Sequence, residues 1–406
     1  MVEKKSTFET LAKSSFSPQE QLMPVSTKNH RFFIGLPKEI SPYENRISLT
    51  PDAVAILVNN GHEVWIETKA GLGSKFSDKQ YSDAGAKIVY SPQEVYKAEV
   101  ILKIDPPSLE EIELMRPGQA LISAIQLGHL QVETLEALLK KRITALAFEF
   151  IEDKVGGIPI IRAMSEIAGS SVMLIASEYL STTNNGKGVI LGGITGVPPT
   201  KVVIIGAGTV GEYAARAALG LGADVQIFDN HLYKLRRIKQ LLSQQIYTST
   251  IDTLTLSETL KTADVLIGAL RAEKGRARQV VTEEMVARMK ADSIIIDISI
   301  DQGGCIETSE MTTLNAPVYK KHDVIHYCVP NVASRVSHTA ATALSNIFTP
   351  TILRAAEEGG VEKMIFSHKG FMKGVYTFNG GLTNESLARK FGMKYKNIEL
   401  LMAARF

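Results

Sequence analysis

The chain has 406 residues, 45% of them hydrophobic and 22% charged, with a formal net charge of +2. That length suits roughly two domains with sizeable cores, and the near-neutral balance gives no footprint for nucleic acid or a membrane surface. The two cysteines, Cys305 and Cys328, are far apart and make no metal-ligand spacing, so no metal site is expected and a reducing cytoplasm is the expected setting.

The first 30 residues are rich in Ser, Thr and Lys and lack the apolar core of a signal peptide, so 1–31 reads as a flexible or docked arm. No uninterrupted apolar stretch reaches the roughly 18 residues needed to cross a bilayer. From Phe32, short apolar runs alternate with amphipathic stretches. FFIGLP, HEVWIET, AKIVYS, AEVILKI, ALISAI and ITALAFEF are predicted strands. TPDAVAILVNNG predicts a helix with Thr50 as N-cap, Pro51 as first residue and Gly61 as stop. MSEIAGSSVMLIASEYLS predicts a long linking helix over 164–181, and the Gly-rich NNGKGVILGGITGVPP a loop. A second strand series follows: KVVIIGAG, DVQIFDN, ADVLIGAL, SIIIDIS and DVIHYCV. After His338 the pattern returns to helix. Strand–helix alternation implies parallel βαβ units covered on both faces. The expected architecture is α/β, with two doubly wound, Rossmann-like parallel-sheet domains. One domain, 164–337, is inserted into the other, formed by 32–163 and 338–406.

The strongest local signal is KVVIIGAGTVGEYAARAALGLGADVQIFDN. A strand runs into Gly206-Ala-Gly208-Thr209-Val210-Gly211 and a helix follows. Gly206 serves the tight turn, Gly208 close backbone approach to a pyrophosphate, and Gly211 helix–strand packing. The first helical turn, at Thr209 and Val210, offers unpaired N–H groups to phosphates. Asp229, at the end of the next strand, stands where this motif places the partner of a ribose 2′-hydroxyl, and a carboxylate there favours NAD over NADP.

Other strand ends also carry polar residues. GLPKEISPYENR presents Lys38, Glu39 and Arg46. ILKIDPP puts Lys103 inside an apolar run, where a lysine needs a partner or a pocket. IIIDISIDQGGCIE holds Asp297, read as structural, and Asp301, and HYCVPNV carries Asn331. His62, His231, His322, His326 and His338 read as surface or loop residues, with His326 the one of these expected nearest the cofactor.

These segments, together with GHEVWIETKAGLGSKFSD, MRPGQALIS, MSEIAG and GVILGGITGV, resemble the alanine dehydrogenase family from Phe32 to about Tyr395. That family shares its fold with the NAD(H)-binding part of proton-translocating transhydrogenase. The resemblance implies NAD in the inserted domain, a small oxo acid in the cleft between domains, and a homo-oligomer, commonly a hexamer. It implies reversible oxidative deamination of L-alanine to pyruvate and ammonia. Arg46 and Lys103 match the positions that bind the carboxylate and carbonyl of pyruvate, and Asp301 the catalytic carboxylate. Asn331 matches a residue beside the nicotinamide, and Met164 and Ser165 match cofactor contacts. Two alternatives use the same scaffold: a saccharopine-type or other 2-oxo-acid dehydrogenase, and a non-catalytic NAD(H)-binding module that docks on a membrane partner. The DQGG segment favours the dehydrogenase branch.

One departure bears on mechanism. The family's motif ends the fifth strand with a histidine, and here AIQLGHL places Gln126 there. Glutamine orients groups by hydrogen bonds but carries no proton. Three routes stay open. Lys103, beside Arg46 and partly buried, does the proton work; or His129 does; or the cleft serves different chemistry.

Overall fold

The computed structural model describes residues 30–127, 130–242, 244–271 and 277–403. The expected arm and His129 therefore lie outside the described residues, apart from His30 and Arg31.

Two sheets organise the chain. The first contains β1 (Phe33–Leu36), β2 (Glu63–Glu67), β3 (Lys87–Val89), β4 (Val100–Leu102), β5 (Ala120–Ser123) and β6 (Thr144–Ala147), all parallel. The second contains β7 (Lys201–Ile205), β8 (Asp224–Phe228), β9 (Tyr247–Ser249), β10 (Val265–Gly268), β11 (Ile294–Asp297), β12 (Val318–Lys321) and β13 (Val324–Tyr327). Only β12 runs antiparallel there. Two late strands, β14 (Val375–Phe378) and β15 (Gly381–Leu382), return to the first sheet as an antiparallel edge on β6. The orders are β3-β2-β1-β4-β5-β6-β14-β15 and β9-β8-β7-β10-β11-β13-β12. Both reverse direction beside their first strand, between β1 and β4 and between β7 and β10. Crevices open at such switch points beyond the strands' carboxyl ends.

The central strands are uniformly apolar because both faces are covered: β4, β5, β10 and β11 are buried at every position. Helix α1 (Pro51–Asn59) starts on Thr50, whose side chain accepts from the Ala53 N–H, and Gly61 beyond its end adopts φ +86°. Helix α2 (Leu109–Leu114) opens with a reciprocal capping box between Ser108 and Glu111.

The linking helix α3 runs Pro159–Leu180, five residues longer at its start than the apolar pattern suggests, because Pro159 at the first position is pre-set for a helix. By length and composition it could cross a membrane. Here it is a core helix: Ala168, Val172, Ile175, Ala176 and Leu180 are buried beside the second sheet. It lies against α4 (Thr209–Gly220) so closely that a Cβ on Gly169 would sit 2.4 Å from the Val210 carbonyl oxygen. A later long helix, α5 (Ser337–Glu357), packs on both α1 and α3.

Candidate active site

The glycine loop after β7 has a distinct geometry at each glycine. Gly206 adopts φ +112°, and a Cβ there would meet the Ala269 carbonyl oxygen at 2.3 Å. On Gly211 a Cβ would sit 1.9 Å from the Gly206 oxygen. At Gly208 it would meet nothing within 4 Å, so the protein leaves that side of the loop open. An open, side-chain-free backbone at a helix N-terminus fits a dinucleotide pyrophosphate.

Asp229 is 2% exposed; its Oδ2 accepts from the Ala207 N–H at 2.8 Å and its Oδ1 from the His231 N–H at 2.8 Å. Burial works against its charge, but these donors and the His231 ring prevail and hold the carboxyl below its ordinary value. The aspartate thus anchors the loop: Oδ1 meets both the backbone N–H and the ring of His231, while Oδ2, with one N–H donor, keeps a lone pair for a ribose hydroxyl. Thr209, Val210 and Ser165 are half-buried near this helix start, and Asp301 is exposed in a 3-10 turn, Ile298–Gln302, after β11.

Asp297 turns inward as a structural acid. It accepts from the N–H groups of Ser299 and Cys305 at 3.0 Å each and from the Ser309 hydroxyl at 2.8 Å. His326 is a correction. It does not approach the loop but is fully buried in β13, bonded to Thr308 at 2.8 Å and the Val324 carbonyl at 2.9 Å, with its ring stacked on Tyr319. His62, likewise read as exposed, is buried and accepts from the Phe32 N–H at 3.2 Å. Ring nitrogens that find partners inside a fold need no solvent.

On the first sheet, the ends of β1, β4 and β5 converge. Arg46 is forked onto Glu44, Nε to Oε1 at 2.8 Å and Nη2 to Oε2 at 2.5 Å, while Nη1 faces the Met164 sulfur on α3 at 3.4 Å. Burial alone would lower the guanidinium's pKa, but Glu44 outweighs it and the net direction is upward. Glu44 is itself held from the other lobe. Asn331, at φ +56°, donates Nδ2 to its Oε2 at 2.8 Å, and the Ser334 hydroxyl donates to the Tyr43 carbonyl at 2.8 Å. Asn331 and Arg46, 285 positions apart in sequence, thus share one carboxylate across the junction of the lobes.

Lys103 is 2% exposed and gives Nζ to both oxygens of Glu111 at 2.8 Å, with Glu39 at 3.6 Å. Glu111 caps α2 at the same time, and accepts from the Tyr96 hydroxyl at 2.7 Å. The lysine therefore lies between carboxylates, a neighbourhood unlike the cationic one that the lysine route supposes. Glu39, flagged only as a polar residue near a strand end, clamps the turn after β4 by accepting from the N–H groups of Ile104 at 2.5 Å and Asp105 at 3.3 Å. Burial raises its carboxyl to about 7 against the pull of Lys103.

Gln126 adopts φ +46°, pinned there by Glu149, which accepts from the N–H groups of Ile125 at 2.8 Å and Gln126 at 3.0 Å. Its side-chain amide donates to Asp105 Oδ1 at 3.1 Å. Asp105 was not singled out from the sequence. The signal was there: it stands two residues after Lys103, at the same strand end. Burial, and then Glu44, raise its carboxyl to about 6, while Arg46, Lys103 and Gln126 pull the other way. A separate open depression of about 500 Å³ beside Leu254 and Thr255 lies outside this convergence.

The fold and these residues define a two-lobed Rossmann-type protein with a dinucleotide-type loop on one sheet and a cation-and-carboxylate cluster on the other. The family description "Alanine dehydrogenase/PNT, N-terminal domain" matches residues 35–168 and its C-terminal counterpart residues 172–385. The chain belongs to the alanine dehydrogenase/PNT family. It is 40% identical over 363 residues to alanine dehydrogenase of Bacillus subtilis (strain 168), covering 89% of this chain and 95% of that one. It is 38% identical over 368 residues to alanine dehydrogenase of Methanococcus maripaludis, covering 90% and 98%. Among solved structures, an L-alanine dehydrogenase superposes with TM-score 0.83 at 36% identity, covering 88% of this chain and 99% of that one. A transhydrogenase from Sinorhizobium meliloti superposes with TM-score 0.76 at 23% identity over 87% and 99%, a likeness of fold.

Proposed function

We propose that this protein is an NAD-dependent alanine dehydrogenase, interconverting L-alanine with pyruvate and ammonia, and that it works in the cytoplasm as a homo-oligomer. The observation that carries this reading is the guanidinium of Arg46, held at the lobe junction with one edge committed to Glu44. Its Nη1–Nη2 edge remains for a second carboxylate, that of the substrate, which a planar fork binds through both oxygens. Two of the three N–H donors of Lys103 go to Glu111, and the third serves the substrate's carbonyl oxygen. Gly206, Gly208, Thr209, Val210 and Gly211 cradle the dinucleotide, and Asp229 receives its ribose. Ser165 and Asn331 flank the cofactor from the linking helix and the lobe junction. When bound, NAD supplies the hydride acceptor. The chain's own residues orient the substrate and move protons, with Asp301 contributing a carboxylate from the cofactor side.

The test is a screen of purified protein for NAD reduction with L-alanine at alkaline pH, and for NADH oxidation with pyruvate plus ammonium. Activity with both is expected. Turnover only with larger 2-oxo acids would move the assignment to another amino-acid dehydrogenase. NADH binding without turnover of any would leave a non-catalytic module.

A further inference from the structure

We infer that Asp105, oriented by Gln126, is the group that exchanges protons with the reacting substrate. This inference rests on the alanine dehydrogenase reading and supplies the proton carrier that Gln126 is chemically unable to be.

Asp105 lies at the end of β4 and Gln126 just beyond β5, neighbouring parallel strands whose carboxyl ends face the crevice. The Gln126 side-chain amide donates Nε2–H to Oδ1 of Asp105 at 3.1 Å. The other oxygen, Oδ2, has no hydrogen-bond partner among the described residues. Asp105 is only half-buried, and Gln126 is exposed. Four neighbouring acids, Glu39, Glu44, Glu111 and Glu149, are engaged. Both oxygens of Glu39 go to backbone N–H groups, Glu44 is forked by Arg46, and Glu111 is shared by Lys103, Tyr96 and the α2 cap. Glu149 spends its two oxygens on the backbone of Ile125 and Gln126. The charged groups that face Asp105 are Glu39, Glu44 and Arg46 from the segment after β1 and Lys103 from its own strand end. Burial and Glu44 bring its titration to about 6, within reach of both protonation states near neutral pH.

The proton steps balance as follows. Once hydride has left Cα of the neutral amine, the substrate is an iminium. Water attacks its carbon, forming a C–O bond, and the Asp105 carboxylate takes the proton that water releases. The resulting carboxylic acid gives this proton to the carbinolamine nitrogen. As the C–N bond breaks and ammonia leaves with its electron pair, the hydroxyl proton returns to Asp105, and the carbonyl of pyruvate forms. Asp105 then releases one proton to solvent.

Asp105→Asn keeps the size and the acceptor for Gln126 but cannot titrate. Its kcat for pyruvate amination and alanine deamination should fall about 10²–10⁴-fold. NADH binding by fluorescence and the pyruvate KM should change less than about threefold, a loss confined to the chemical steps. In the wild type, deamination should rise with pH through about 6, and that limb should vanish in the variant. In Asp105→Ala, added formate should restore part of the lost kcat, because it supplies a carboxylate to the vacated space. Asp105→Asn with kcat near wild type and an unchanged pH limb overturns the inference. So does a deficit in Asp105→Ala that formate leaves untouched, whether or not NADH binding survives. A wild type that turns over neither alanine nor pyruvate sinks the functional reading and this inference with it, whereas an active wild type with an active Asp105→Asn sinks this inference alone.

Discussion

Asp105 and Lys103 are two residues apart, yet their surroundings treat them in opposite ways. Asp105 is a carboxyl pushed up by burial and by Glu44, so folding favours its protonated form. Its contribution to stability is full below the unfolded value near 3.8 and is lost as pH rises through about 6. Asp105→Asn should therefore raise the stability of the ligand-free protein at about pH 8, by up to about 3 kcal/mol, and by only about half as much at about pH 5. Thermal unfolding at the two pH values checks the sign. Lys103 is the counter-example. Removing its ammonium leaves Glu111 and Glu39 buried without a cation, so Lys103→Ala should cost about 3–5 kcal/mol in denaturant unfolding as well as activity. A lost activity in that variant alone would say little about proton transfer.

At the scale of elements, the junction of β7 and α4 depends on the absence of side chains. A methyl on Gly211 would sit 1.9 Å from the Gly206 carbonyl. Gly211→Ala must therefore push the helix start away from the strand, and titration with NADH should show binding weakened at least about tenfold. This junction was legible in the sequence, because strand, glycine spacing and helix are contiguous and each glycine has a local task. So were the long buried strands, whose apolar runs are unambiguous. The short edge strands β9, β12 and β15 were not. Three exposed or half-exposed residues such as Tyr247–Ser249 carry no periodicity, and they pair only because β8 already offers an open edge. The start of α3 at Pro159 was missed for a related reason: the apolar IPII lacks a polar cap before it.

For the molecule as a whole, the two lobes are coupled where they meet around Glu44. Ser334, on the second lobe's side, accepts from the Asn45 N–H at 2.9 Å and donates to the Tyr43 carbonyl. Ser334→Ala removes both bonds and loosens the loop that carries Arg46. The pyruvate KM should rise about 5–30-fold, the equivalent of about 1–2 kcal/mol, while NADH affinity stays as it was. Steady-state kinetics beside fluorescence titration separates the two. A rise in both would mean that the junction also shapes the dinucleotide site.

By itself the amino-acid sequence determined the α/β class, the strand series, the glycine loop and the identity of Arg46, Lys103 and Gln126 as residues at strand ends. Those features follow from local periodicity and from residue chemistry, which need no partner elsewhere in the chain. Only the tertiary structure decided who faces whom. Glu111 became the partner of Lys103 because a capping carboxylate on α2 reaches back to β4. Asn331 came to hold Glu44 across 287 residues. Asp105, one acid among 43 acidic residues in the sequence, became distinct because two strand ends in register set the Gln126 amide against it. A carboxyl's protonation depends on the charges and the burial around it, and those exist only once the chain has folded.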